Sequence, residues 1–140
     1  MSTRCNVKIV RGDSELWFYR HSDGYPSETL PSLKKFMRWV ESGAIRRNVT
    51  QASGWLVMIG AKEYNYYHDE RRRVKKESLT EPCKKDLVAG WKVGAYEPTT
   101  GLHGDVNFVY ECDLKNMEIR IYEGNGETKI ETIDNFEEKE

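Results

Sequence analysis

Over residues 6–20 the apolar positions fall on every second residue: Val7 and Ile9 first, then Leu16 and Phe18, with Arg11-Gly12-Asp13-Ser14 between them. A two-residue period belongs to a strand with one buried face, so this stretch predicts a β-hairpin closed by the RGDS turn. Trp17 and Tyr19 fill the alternate positions, making both faces of the second strand aromatic or apolar. The period then lengthens. Leu33, Phe36, Met37 and Val40 recur at i, i+3, i+4 and i+7, predicting an amphipathic helix capped by Ser27 or Thr29, with Pro31 in its first turn and Gly43 at its end. A second helix is predicted from about Thr50, with Ala52, Trp55, Leu56 and Ile59 on one face and the stripe fading through Tyr64, Tyr66 and Tyr67. Gly54 and Gly60 weaken it by roughly 1 kcal/mol each relative to alanine.

The run HDERRRVKKE at 68–77 has no apolar periodicity beyond Val74, and Pro82 breaks whatever precedes it. From Gly90 the pattern is β: WKVGAYEP, GDVNFVYECD, MEIRIYE and TKIETI. Asn125-Gly126, between the last two, signals a two-residue hairpin turn with positive φ at both central positions. The order β-β-α-α-β-β-β-β predicts an α+β fold, an antiparallel sheet of five to six strands carrying both helices on one face. A single domain over residues 1–134 accounts for the chain, with 135–140 an acidic tail expected to fray.

Composition adds a charge gradient. Residues 34–92 hold 14 basic against 7 acidic side chains, and residues 93–140 hold 4 against 12, although the net charge is only −1. This asymmetry suits a basic surface for a phosphate-bearing partner, or basic and acidic elements that neutralise one another within the fold or across a homodimer, 46–76 of one protomer facing 111–140 of the other. Neither an apolar leader nor a membrane-length apolar run is present, and Cys5, Cys83 and Cys112 are an odd count with no CxxC pair. A cytoplasmic protein with reduced, buried thiols is expected.

The chemistry concentrates in Tyr19-Arg20-His21-Ser22-Asp23-Gly24-Tyr25-Pro26, at the passage from second strand to first helix. There Arg20 could fork onto a phosphate while Tyr19 or Tyr25 stacks on a base. The structural alternative makes Asp23 an Asx-turn former, Gly24 the positive-φ residue and Pro26 the exit. A second segment, Leu102-His103-Gly104-Asp105, repeats the spacing of His21-x-Asp23. If the two meet, His21 and His103 become candidate catalytic groups for proton transfer in phosphodiester cleavage, with Asp23 and Asp105 beside them. No HxH or CxxC accompanies them, so neither a metal nor another cofactor is expected. Arg46, Arg47, Arg71, Arg72 and Arg73, with Lys75 and Lys76, are candidate phosphate grips near Tyr64, Tyr66 and Tyr67. GxSxG, GxxxxGK[ST] and GxGxxG are all missing, which disfavours serine hydrolases, P-loop enzymes and dinucleotide-binding folds.

With YRHSDGYP and HGDVNFVYECD both in view, the sequence resembles small uncharacterised proteins of phages, prophages and other mobile elements, marked by an early YRHxDGYP and a late GDxxYxYE strand. The resemblance spans residues 3–43 and 90–123. Ser27-Glu28 stands where that family commonly has Glu-Gly, and the basic 68–77 run is particular to this chain. The resemblance implies a mobile-element origin and transfers no activity. Small phage proteins of this kind are often anti-defence factors. The expectation is therefore a protein that sequesters a nucleotide-like, phosphate-bearing immune signalling molecule in the bacterial cytoplasm. Direct inhibition of a host defence protein and a small phosphodiesterase built on the paired HxD segments are the alternatives.

Overall fold

The computed structural model describes residues 3–71 and 94–137. Eight elements follow in the expected order: β1 (Cys5–Arg11), β2 (Ser14–Arg20), α1 (Pro26–Glu41), α2 (Val49–Arg71), β3 (Glu97–Thr99), β4 (Phe108–Asp113), β5 (Glu118–Glu123) and β6 (Thr128–Ile133). The strands form one sheet in the order β3-β2-β1-β4-β5-β6. The fold is α+β, with one departure from the expected sheet: β1 and β4 run parallel, Val7 opposite Tyr110, while every other pair is antiparallel. Both helices lie between β2 and β4 in the chain, which supplies the long crossover that a parallel pair requires. The run at 68–77 beyond Arg71 lies outside the described residues, as do Pro82 and Cys83.

Alternation sorts the strand residues onto two faces. Cys5, Val7 and Ile9 of β1, Phe18 of β2, Tyr110 and Cys112 of β4, and Ile119 and Ile121 of β5 share one face and pack with Leu33, Phe36, Met37 and Val40 of α1 and Ala52, Leu56 and Ile59 of α2. Trp55, placed with Ala52 and Leu56 by the sequence, is instead 41% exposed. Burial pushes the Cys5 and Cys112 thiols up to about 12, so neither is a nucleophile at neutral pH. Among the described residues the opposite face carries no helix. It holds a small cluster of Tyr19, Val106 and Val109 with Trp17 and Tyr122 against it, beside a charged row in which Lys8 and Arg120 both bind Glu111.

The helix starts differ from the sequence reading. α1 begins at Pro26, with Tyr25 in the cap position and no side-chain cap, which places Pro31 in the second turn. Thr29 is buried inside the helix, its hydroxyl donating to the Asp23 carbonyl at 2.9 Å. For α2 the cap is Asn48, whose Oδ1 accepts from the backbone N–H groups of Thr50 and Gln51 at 3.0 and 3.1 Å. Gly60 proves to be a contact point: a Cβ there would lie 2.8 Å from Tyr96, and one on Gly94 would lie 2.5 Å from the Gly60 carbonyl. Residues 94–96 therefore cross tightly over α2 before reaching β3 at Glu97–Thr99, while residues 91–93 of the expected WKVGAYEP strand lie outside the described residues.

One turn also departs from expectation. The β5–β6 connection spans residues 124–127, with positive φ at Gly124 and Gly126 and not at Asn125. A register shift opposite Ile121/Tyr122 interrupts the β5–β6 ladder. The tail does not fray at once, because Phe136 is 2% exposed in the core and its carbonyl accepts from Arg38 Nη1 at 2.5 Å. Among the described residues no helix is long and apolar enough to cross a membrane.

Candidate functional site

The strand–helix corner is built by the change from strand to turn at Arg20. Asp23 takes the positive φ, +58°, that the sequence reading gave to Gly24. Gly24 serves another end: a Cβ on it would sit 2.9 Å from the backbone of Arg4 and Cys5. Its N–H donates to the Thr3 carbonyl and its own carbonyl accepts from the Tyr110 hydroxyl, so the turn is bolted to the segment leading into β1 and to β4. The Asx turn expected of Asp23 does not form among the described residues; its carbonyl, rather than its carboxylate, takes the turn's hydrogen bonds from Thr29 and Arg20.

Neighbouring residues of a strand point to opposite faces, and this splits the YRHSDGYP group. Arg20 faces the helices and is 5% exposed. Its two terminal nitrogens donate to the two carboxylate oxygens of Glu63 at 3.1 and 3.0 Å, and Nε donates to the carbonyls of Ser22 and Asp23. The guanidinium also lies 5.3 Å from the centre of the buried Tyr96 ring. Burial works against its charge, but Tyr96 and Glu63 more than offset that, and its pKa lies above the ordinary arginine value. Arg20 is thus a positioning residue that ties β2 to α2, rather than the open phosphate fork expected of it.

Tyr19 faces the other side, where its ring touches one histidine from each HxD segment. Its ring stacks on His103 with centroids 4.0 Å apart and meets the His21 ring edge-on at 4.5 Å. Its hydroxyl donates to Asp105 at 2.9 Å, and Asp105 also pairs with Arg4. Neither histidine bonds to the aspartate of its own motif. His21 Nε2 lies 2.8 Å from Glu97, and His103 Nε2 lies 2.8 Å from the Thr99 hydroxyl, so each imidazole is spent on one end of β3. The arrangement is a clasp on the short strand β3.

A cavity of about 1050 Å³ opens at the corner, on the helix side. Arg20, His21, Asp23 and Tyr25 line it; Tyr19, His103 and Asp105 do not. The sequence reading missed the carboxylates that complete its walls: Glu28 of α1, Glu63 of α2 and Glu97 of β3. Glu63 follows Ile59 by one helical turn, a spacing that already places it at the end of the buried stripe. Of the expected phosphate grips, Arg47 lines a separate cavity of about 470 Å³ with Arg11, whose Nη1 donates to the Arg47 carbonyl, and Arg46 is exposed. The side chain of Arg71, and Arg72, Arg73, Lys75 and Lys76 altogether, lie outside the described residues. Among the described residues no three His, Cys, Asp or Glu side chains group closely enough to hold a metal ion. Compared with known proteins, the chain matches no family model, no curated protein and no solved structure.

Proposed function

We propose that this is a binding protein that acts by capturing a host defence protein at the corner cavity, without a catalytic step. The observation that carries the reading is the cavity itself, as large as a typical ligand pocket and walled by two helices, the β2–α1 turn and β3. Tyr25, 38% exposed at its rim, is the kind of aromatic anchor on which protein interfaces rely. Sequestration of a phosphate-bearing messenger would use the same cavity, but it requires cations that face inward. The guanidinium described there is already chelated by Glu63. Capture of a protein is therefore the better fit, and the anti-defence setting comes from the resemblance to phage and mobile-element proteins.

The test is to purify the tagged chain from bacteria carrying defence systems, identify any stoichiometric protein partner, and denature a second sample to release small molecules for mass spectrometry. A one-to-one complex that Tyr25→Ala abolishes supports capture. An intact nucleotide in the released fraction would move the function to sequestration, and a cleaved nucleotide, lost in His21→Ala or His103→Ala, would move it to hydrolysis.

A further inference from the structure

We propose that Asn125 is a site of spontaneous covalent modification: its side-chain amide is lost as ammonia through a succinimide ring closed by the backbone nitrogen of Gly126. The inference is independent of the capture reading.

The chain carries Asn-Gly once, in the turn over residues 124–127 that joins β5 to β6, and Asn125 is exposed there. The side chains of Asn6, Asn48, Asn107, Asn116 and Asn135 are each held by a hydrogen bond to the backbone or to a neighbouring side chain. That of Asn125 makes none among the described residues. Its Cγ is therefore free to swing onto the next peptide nitrogen. Gly126 has no Cβ to stand over that approach, and its N–H donates to the Glu123 carbonyl at 3.3 Å, longer than such bonds usually are. Both reacting groups are weakly held.

The step needs only water. Solvent base takes the Gly126 amide proton, the nitrogen bonds to Cγ, and the bond from Cγ to the side-chain nitrogen breaks as that nitrogen takes up a proton and leaves as ammonia. Water then opens the ring. Opening at Cγ gives aspartate, and opening at the backbone carbonyl gives isoaspartate, in which the main chain runs through the former side chain. Either product sets a carboxylate between the exposed Glu123 and Glu127, in the turn leading into the outermost strand β6.

Asp23-Gly24 shows what prevents such a reaction. Asp23 is exposed as well, but Gly24 is buried, its N–H donating to the Thr3 carbonyl at 3.0 Å and its carbonyl accepting from the Tyr110 hydroxyl at 2.6 Å. A Cβ on Gly24 would stand 2.9 Å from the backbone of Arg4 and Cys5, whereas one on Gly126 would find its nearest atom, Val109 Cγ2, at 3.8 Å. A nitrogen packed like that of Gly24 moves onto a side chain only after local opening.

The experiment incubates the full chain in mildly alkaline buffer, folded and in urea, and follows it by peptide mass spectrometry and isoelectric focusing. The folded protein is expected to gain about 1 Da in the peptide that holds position 125, with a matching acidic band. Asn125→Gln, which would have to close a six-membered ring, is expected to lose both signals. Asp23→Asn keeps a residue that tolerates positive φ and creates a second Asn-Gly. Folded, this variant is expected to react about tenfold faster at position 125 than at position 23, and in urea to react at both alike. Equal rates at the two positions in the folded variant would make the reaction a matter of sequence alone and overturn the structural argument. A folded chain unchanged at position 125, while the urea sample converts, would overturn the proposal outright.

Discussion

A missing Cβ serves different ends at Gly54 and Gly60, although both lie in α2 and look alike in sequence. Gly54 has open space where a Cβ would stand, whereas a Cβ on Gly60 would meet Tyr96 at 2.8 Å. Gly54→Ala is therefore expected to stabilise the protein by about 0.5–1 kcal/mol, through helix propensity and a less flexible unfolded chain. Gly60→Ala and Gly94→Ala are expected to cost about 1–3 kcal/mol each, because backbone rather than a flexible side-chain end stands in the way. Urea midpoints for the three variants check both signs. The sequence marks all these positions as glycine without saying which are crowded, since the crowding atoms come from a segment about thirty or more residues away. Arg20 is the same case: its neighbours in sequence suggest a free ligand donor, while its partner Glu63 lies 43 residues on.

Elements were more legible than their junctions. Two-residue alternation located β1 and β2, the β-type runs of the later sequence located β4, β5 and β6, and the i, i+3, i+4, i+7 spacing located the buried face of α1. Where a strand is replaced by a tight crossing, as at residues 94–96, alternation carries no warning. The charged row on the helix-free face belongs to this scale. Burial raises the carboxyl pKa values of Glu111 and Asp113, but hydrogen bonds from Lys8 and Arg120 to the first, and from the Asn116 backbone and Arg120 to the second, outweigh it and hold both below the ordinary carboxylate range. A carboxyl depressed in the native state stabilises the fold above its unfolded pKa, around 4, and that contribution is lost as pH falls through the native value. The melting temperature is expected to stay level from neutrality to about pH 5 and to fall below about pH 4. Glu111→Gln with Asp113→Asn should lower the neutral plateau by roughly 2 kcal/mol and flatten the acid limb. A calorimetric pH series on both proteins measures this.

At the scale of the molecule, the sheet is strongest at its middle. β1 is paired on both sides over most of its length and β4 likewise, while β3 has three residues and β6 is exposed at nearly every position. Amide exchange under native conditions is expected to be slowest in β1 and β4 and fastest in β3 and β6. Faster exchange in β1 than in β6 would contradict this order. The parallel β1–β4 pairing was the part of the topology least available from sequence, because the choice of neighbour depends on contacts about a hundred residues apart rather than on either strand's own pattern. It also sets a schedule for biosynthesis. Cys5 pairs with Phe108, so the β1–β2 hairpin leaves the ribosome with both outer edges bare, and the β1 edge must wait about a hundred residues for its permanent neighbour. A nascent chain stalled before Phe108 would present that edge to any passing strand, which makes it a natural client for chaperones and the form of this protein most prone to aggregate.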